Sequence, residues 1–245
     1  MLVTRPAHQA AQLCELIEAN GGRPLSFPAL EISPASAPDQ AVKLLRQPAD
    51  LFIFISPNAV SHALRLLGEQ LLWEGARLAA VGDATAQALR EAGYRVDLQP
   101  AERFDSEGML ALPELARVTG QRVVIVRGEG GRALLGDTLK SRGAELVYAE
   151  VYRRGRPRLD PSALLQGWRQ QVDLVTATSS EILSNLVAML GRAGWPLLSR
   201  TPLLVISERM REQAEELGFK TLLVAPNASN RGIVTRLCNW IESGQ

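Results

Sequence analysis

Short apolar runs along the chain alternate with longer stretches in which apolar residues recur every three or four positions. The runs are "MLV" at Met1, "LFIFI" at Leu51, "RLAAV" at Arg77, "RVVIV" at Arg122, "LVYAEV" at Leu146, "DLVTA" at Asp173, "PLLVI" at Pro202 and "KTLLVA" at Lys220. They are short, rich in β-branched residues and bounded by turn formers, which predicts strands. Segments such as "HQAAQLCELIEANGG" and "GRALLGDTLKSRGA" have helical spacing and end near glycine, a helix stop. Strand and helix in series predict an α/β fold, with parallel sheets flanked by helices on both faces.

The two halves echo each other. "FISPNAV" from Phe54 parallels "TATSSEI" from Thr176, and Gly93-Tyr94 parallels Gly218-Phe219. "ANGGRPLSFPALEI" and "KSRGAELVYAEVYR" align on Gly22 and Gly143, and "FDSEGML" and "ASNRGIV" on Gly108 and Gly232. The offset is always close to half the chain, far longer than a solenoid repeat, so two similar α/β domains are expected. "EISPASAPDQ" and "RRGRPRLDP" have linker composition and follow equivalent strands. The chain is therefore expected to cross between domains twice, with linkers near 31–37 and 150–158. One domain would comprise 1–33 plus 154–245, and the other, 34–153, would be inserted in it. A single cut near residue 120 is the alternative.

Composition narrows the function. With 245 residues the chain can bury such cores without staples. Lys plus Arg is 27 against 26 for Asp plus Glu, so no global field draws it to nucleic acid or a membrane. The basic run Arg153, Arg154, Arg156 and Arg158 has no interleaved aromatics on which bases would stack. Cys14 and Cys238 fall in helical segments, and with His8 and His62 they make no zinc spacing. No apolar run nears the roughly 18 residues of a membrane span, and no leader precedes the first strand. A soluble, cytoplasmic protein without a metal is expected.

Ligands of open parallel sheets gather beyond the carboxyl ends of strands, beside helix N-termini. The junctions here offer Ser56 and Asn58 around Pro57; Gly82, Asp83 and Thr85; Thr178, Ser179 and Ser180; and Ser207. Ser106 and Ser229 are further expected caps. Each alone is an ordinary helix cap. Their repetition across two halves points to a surface of hydroxyl and N–H donors, suited to a ligand with several carboxylates. Arg5, Arg127 and Arg132 sit at equivalent strand ends and would add cations.

"GEGGRA" from Gly128 fits G-x-G-x-x-[GA], with Glu150 about 20 residues on, the outline of a dinucleotide fingerprint. A Rossmann-type NAD(P)-dependent oxidoreductase is thus one alternative, although "TRPAHQAA" in the first half has no glycine. A non-catalytic, two-lobed polycarboxylate-binding protein is another. No nucleophile with a neighbouring base stands out, and His62 reads as packing or surface. Tyr148 and Tyr152, at even spacing in "ELVYAEVYRR", are expected on one strand face, with Tyr152 next to the crossover.

"FISPNAV", "AVGDATAQALREAGYRVDLQP", "FDSEGML", "RVVIVRGEGGRALLGDTLKSRGAELVYAEVYRR" and the weaker echo "LLVISERMREQAEELGF" resemble the uroporphyrinogen-III synthase family over essentially the full length. The resemblance implies two domains joined by a two-stranded linker, the active site in the cleft between them, no cofactor and no metal. It implies a linear tetrapyrrole substrate, hydroxymethylbilane; a monomer is expected. The family's reaction loses the substrate hydroxyl to give an azafulvene-type cation, which closes through a spiro intermediate and inverts the last pyrrole ring. By the same resemblance Tyr152 assists loss of the hydroxyl and Thr85 contacts substrate. Together with the strand-end donors and arginines above, this makes the expected substrate-binding set Arg5, Ser56, Asn58, Gly82, Thr85, Ser106, Arg127, Gly128, Arg132, Thr178, Ser179, Ser180 and Ser207. "ISERM" departs from the Gly-x-x-Thr often found in the second copy, so no essential role passes to Ser207.

Overall fold

A computed structural model describes residues 1–68 and 73–243. Its strands are β1 (Leu2–Val3), β2 (Leu25–Ser26), β3 (Glu31–Pro34), β4 (Leu51–Phe54), β5 (Arg77–Ala80), β6 (Arg122–Gly128), β7 (Glu145–Gly155), β8 (Val175–Thr176), β9 (Leu203–Val205) and β10 (Leu222–Val224). The α-helices are α1 (Ala7–Ala19), α2 (Pro38–Arg46), α3 (Pro57–Leu67), α4 (Asp83–Glu91), α5 (Ser106–Leu110), α6 (Leu134–Ser141), α7 (Ser162–Gln171), α8 (Ser180–Leu198), α9 (Glu208–Leu217) and α10 (Asn230–Glu242). Two compact units result: unit 1 is Met1–Glu31 with Gly155–Gln245, and unit 2 is Ile32–Arg154. Residues 69–72 and 244–245, inside the domain ranges expected from sequence, lie outside the described residues.

Each unit holds one sheet. Unit 1 has the order β10-β9-β8-β1-β2, with neighbours parallel. Unit 2 has the order β3-β7-β6-β4-β5, with β7, β6, β4 and β5 parallel in turn. Beyond β5, Leu98 makes a parallel bridge to Ala79. Exchanging β2, β1, β8 and β9 for β7, β6, β4 and β5, and β10 for the Leu98 bridge, turns the unit 1 order into that of unit 2, with β3 left as an extra edge strand. Every matched pair comes from opposite halves of the sequence, so each unit is assembled from parts of both. The repeated glycines follow the same logic. A Cβ on Gly108 would stand 1.8 Å from the Arg103 carbonyl oxygen, and one on Gly232 would stand 3.0 Å from that of Asn227. At Gly108 the backbone five positions earlier leaves no room for a side chain, whereas at Gly232 the Asn227 side chain stands nearer than its carbonyl and is the main obstacle.

The unit 2 sheet is covered on both faces. Phe52 and Phe54 pack with Leu45, Val60 and Leu89 of α2, α3 and α4. Leu51 and Ile53 pack the other way, against Met109, Leu115 and Leu139. That is why β4 is apolar at every position. Burying such a side chain contributes about 1.5–3 kcal/mol. In unit 1, Val3, Leu204 and Leu223 pack with Leu13 and Ile17 of α1 and Ile233 and Leu237 of α10. The alternate residues Leu2, Val175 and Leu203 are buried too. Trp168 of α7 is buried with its indole N–H donated to Thr201 Oγ1 at 2.9 Å, so this large side chain strands no polar atom.

One strand departs from period two. Arg127 pairs with Glu150 but Gly128 pairs with Tyr152, so Val151 is an extra residue, a bulge in β7. Before it, Val147 and Ala149 face the α2–α4 side, while Leu146 and Tyr148 face the opposite one. After it, Tyr152 joins Val151 on the α2–α4 side. Tyr148 and Tyr152 therefore lie on opposite faces, contrary to the even-spacing expectation, because the inserted residue shifts the alternation by one.

Candidate active site

In unit 2 the strand order reverses between β4 and β6. The chain leaves β4 through α3 on one face of the sheet and leaves β6 through α6 on the other. The carboxyl ends flanking such a point are where open α/β sheets bind ligands. After β4 comes Ser56, the N-cap of α3, whose hydroxyl oxygen accepts the Ala59 N–H at 3.1 Å, with Pro57 in the first turn. "ISPNA" folds this way because serine closes the first turn and proline gives up no needed donor. After β6 comes the loop beginning at Gly128.

Tyr152 lies across these two ends. It is 4% exposed, and its phenol oxygen lies 3.2 Å from Ser56 Oγ. Its backbone carbonyl accepts the Glu129 N–H at 2.8 Å. The ring of His62, buried on α3, packs against it with centroids 5.5 Å apart. A Cβ on Gly128 would stand 2.6 Å from a ring carbon of Tyr152. Gly128 is glycine because the phenol occupies that space. Gly130 and Gly131 turn the loop at φ +70° and +101°. Ring packing and the turn thus account for the glycines of "GEGGRA", and the dinucleotide reading loses its motif.

A cavity of about 320 Å³ in unit 2 has Ile55, Val81, Ile125 and Leu135 in its lining. Ser106, Arg127, Arg132, Tyr148 and Arg154 add polar groups. Arg127 is already engaged: Nη2 is 2.9 Å from Glu150 Oε1, and the guanidinium sits 3.8 Å from the Tyr148 ring centroid. Arg5 in unit 1 is held likewise, donating to Asn230 Oδ1 and, at 3.1 Å, to the Ala228 carbonyl, and burial lowers its pKa. Both arginines, expected as open cations, are tied to their own units. Arg132 is exposed.

Ser179, Ser207 and Ser229 are N-caps, accepting from Ile182, Met210 and Gly232 at 3.1, 3.4 and 3.0 Å. Thr178 precedes the first of these caps and Ser180 is the first residue of α8. Ser106 is not a cap, contrary to expectation. Asp105 accepts the Gly108 N–H at 2.9 Å and Ser106 is the first helical residue. The matching spacings Asp105–Gly108 and Ser229–Gly232 were the signal that would have found it. The Gly108 amide, then Arg103, hold the Asp105 carboxyl below its usual range. Gly82 caps α4 without a side chain, and a Cβ there would only touch Phe104 at 3.4 Å. Thr85 is 3% exposed in the first turn of α4, and Asn58 is half-buried in that of α3.

Asn58, Gly82 and Thr85 lie at the starts of α3 and α4, and the other sequence-derived residues gather in three places. Ser56, Gly128 and Tyr152 form one cluster, and Ser106, Arg127 and Arg132 share the cavity. Thr178, Ser179, Ser180, Ser207 and Arg5 belong to unit 1. His62, Tyr148 and Glu150 also take part, through ring and ion-pair contacts that span faces or strands and leave no local pattern. Cys14 and Cys238 are free thiols. Among the described residues no cluster of His, Cys, Asp or Glu is placed to hold a metal, and no helix is long and apolar enough to cross a membrane.

The family model described as uroporphyrinogen-III synthase HemD matches residues 11–235. The uroporphyrinogen-III synthase of Escherichia coli is 36% identical over 97% of this chain and 99% of its own. A mutant uroporphyrinogen III synthase from Thermus thermophilus superposes with a TM-score of 0.64 at 21% identity, covering 99% of this chain and 98% of that one. The uroporphyrinogen-III synthetase of Helicobacter pylori gives 0.66 at 14% identity, covering 98% of each. These structures share the fold, and neither an oxidoreductase nor a non-catalytic binder finds support. The family match and the full-length identity agree with the two-sheet frame: the chain belongs to the uroporphyrinogen-III synthase family.

Proposed function

We propose that Tyr152 is the proton donor of the reaction and that the hydroxyl, amide and guanidinium groups named above hold the carboxylate arms of the substrate. The activity is uroporphyrinogen-III synthesis, in which a cyclising lyase of tetrapyrrole synthesis closes linear hydroxymethylbilane with inversion of the last ring and loss of water. Electrophile and nucleophile both belong to the substrate, so the protein's work is positioning and proton transfer. The phenol O–H bond breaks as its proton moves to the substrate hydroxyl. The C–O bond then breaks, water departs with the bonding pair, and the pyrrole nitrogen supplies the electrons that stabilise the cation. Ring carbon attack, fragmentation and reclosure follow. The proton lost from carbon as the last pyrrole regains aromaticity returns to the phenolate oxygen.

The observation that carries this role is the phenol hydroxyl, 3.2 Å from Ser56 where the strand order reverses. Arg132 and Ser106 are proposed to take a carboxylate at the unit 2 cavity. Gly82 leaves the first turn of α4 without a side-chain cap, which favours an anion there, with Thr85 and Asn58 as neighbouring donors. Thr178, Ser179 and Ser180 are proposed as further contacts, with Ser207 non-essential. The chain is proposed to act as a cytoplasmic monomer, in keeping with its two free thiols; sedimentation tests the monomer. The decisive assay supplies fresh hydroxymethylbilane and separates the product isomers. The type III isomer is expected, and type I alone would overturn the reading.

A further inference from the structure

We propose that Ser56 is a positioning residue for the phenol, donating its hydroxyl proton to the Tyr152 oxygen and so turning the phenol proton toward the reacting hydroxyl. This rests on Tyr152 being the proton donor. A serine hydroxyl has one proton and two lone pairs. One lone pair of Ser56 Oγ is occupied by the Ala59 N–H at 3.1 Å, and the phenol oxygen lies 3.2 Å away. Two arrangements of that contact exist. If the phenol donates to Ser56, its proton points away from substrate. If Ser56 donates to the phenol, the phenol proton stays available, and the charge left on the oxygen after transfer meets an O–H at the positive end of α3. Proton transfer to the leaving hydroxyl requires the second.

The surroundings hold the ring in that place. Gly128 yields the space the ring fills, His62 of the same helix packs on it at 5.5 Å, and the Glu129 N–H fixes the Tyr152 carbonyl at 2.8 Å. With its oxygen given to the cap and its proton to the phenol, Ser56 has no donor left for a substrate carboxylate. Its removal should therefore appear in kcat and not in KM.

Three substitutions separate capping from positioning. Aspartate caps a helix as well as serine does but cannot donate. Ser56→Asp should keep a melting temperature near that of the parent yet lower kcat by about 100-fold, because the carboxylate captures the phenol proton. Ser56→Ala should lower kcat by about 10-fold, and Ser56→Thr should recover most of that loss. The chain has three tyrosines, so 13C-tyrosine labelling gives three ring signals, with Tyr152 identified from Tyr152→Phe. That signal should shift in Ser56→Asp and Ser56→Ala and stay near the parent position in Ser56→Thr. Parent kcat in Ser56→Asp, a raised KM with unchanged kcat, or an unmoved Tyr152 signal in Ser56→Ala would each overturn the proposal. If Ser56→Asp does not fold, the Ala and Thr variants decide alone. Tyr152→Phe at the parent rate sinks the proton-donor reading itself; a slow Tyr152→Phe beside a fast Ser56→Asp sinks only the positioning role.

Discussion

The β4–α3 junction of unit 2 and the β8–α8 junction of unit 1 are built alike. Ser56 and Ser179 have nearly the same extended backbone, φ −163° and −160°, and each accepts an amide three residues on at 3.1 Å. What faces the two caps differs. The Gly22–Gly143 alignment, which matches the β1–β2 register to the β6–β7 register ahead of the bulge, places Ala7 and Glu31 of the first half opposite Gly128 and Tyr152 in sequence. The phenol and the glycine that accommodates it therefore occur together in one copy and are both missing from the other. The frame of capped helices occurs twice, and the group able to move a proton stands on only one copy.

The strongest way to break this comparison is to exchange the paired residues. Tyr152→Phe keeps the ring and should slow formation of the type III isomer by about 100-fold or more, the usual scale of a lost general acid. Glu31→Gln, at the exposed counterpart, should leave initial rates near those of the parent. Equal losses would mean that the phenol has no special place. Gly128→Ala installs what unit 1 already has at Ala7. Its Cβ would stand 2.6 Å from a ring carbon of Tyr152, so the ring must shift. A cost of about 1–3 kcal/mol in denaturant unfolding is expected, as for other overpacked sites, with a fall in kcat. Unchanged stability and kcat together would show that the ring has room elsewhere.

The caps provide a finer cut. Ser56→Ala and Ser179→Ala each remove one side-chain bond to a first-turn amide, and each should cost about 1 kcal/mol of stability. Kinetics should separate them: Ser56→Ala lowers kcat, whereas Ser179→Ala raises KM if its hydroxyl serves a substrate carboxylate. Matching kinetic profiles would erase the distinction between the two junctions.

The frame was legible because it is written in local pattern. Continuous apolar runs such as "LFIFI" mark strands covered on both faces, and four aligned segments reveal the repeat of the two halves. The serine caps are equally local, a hydroxyl three residues before an amide. The site resisted where the cause is not local. A bulge at Val151 cannot be read from spacing, and it sends Tyr148 and Tyr152 to opposite faces. Arg127 looks like an open cation in the sequence, because its partner Glu150 is a neighbour only across the sheet. Gly128 reads as half of a phosphate loop until the ring that fills its space is seen.

The smallest expected effect concerns the two caps three residues before Gly108 and Gly232, Asp105 on α5 and Ser229 on α10. They perform one task with different chemistry, since only the aspartate titrates. Its carboxyl is held below the usual range by the Gly108 amide and then by Arg103, so the folded state favours the charged form. A depressed carboxylate adds stability above its unfolded value near ~3.9, and that contribution is lost as pH falls through the lower folded value. Asp105→Asn keeps a capping side chain and removes the charge. Its melting temperature should sit slightly below the parent's at pH 7, and the gap should close as the pH drops below about 4. Ser229→Asn, at the uncharged counterpart, should show a gap that does not vary with pH. A pH-independent gap at Asp105 would mean that its carboxylate charge adds nothing to the cap, and the two junctions would then be equivalent in energy as well as in place.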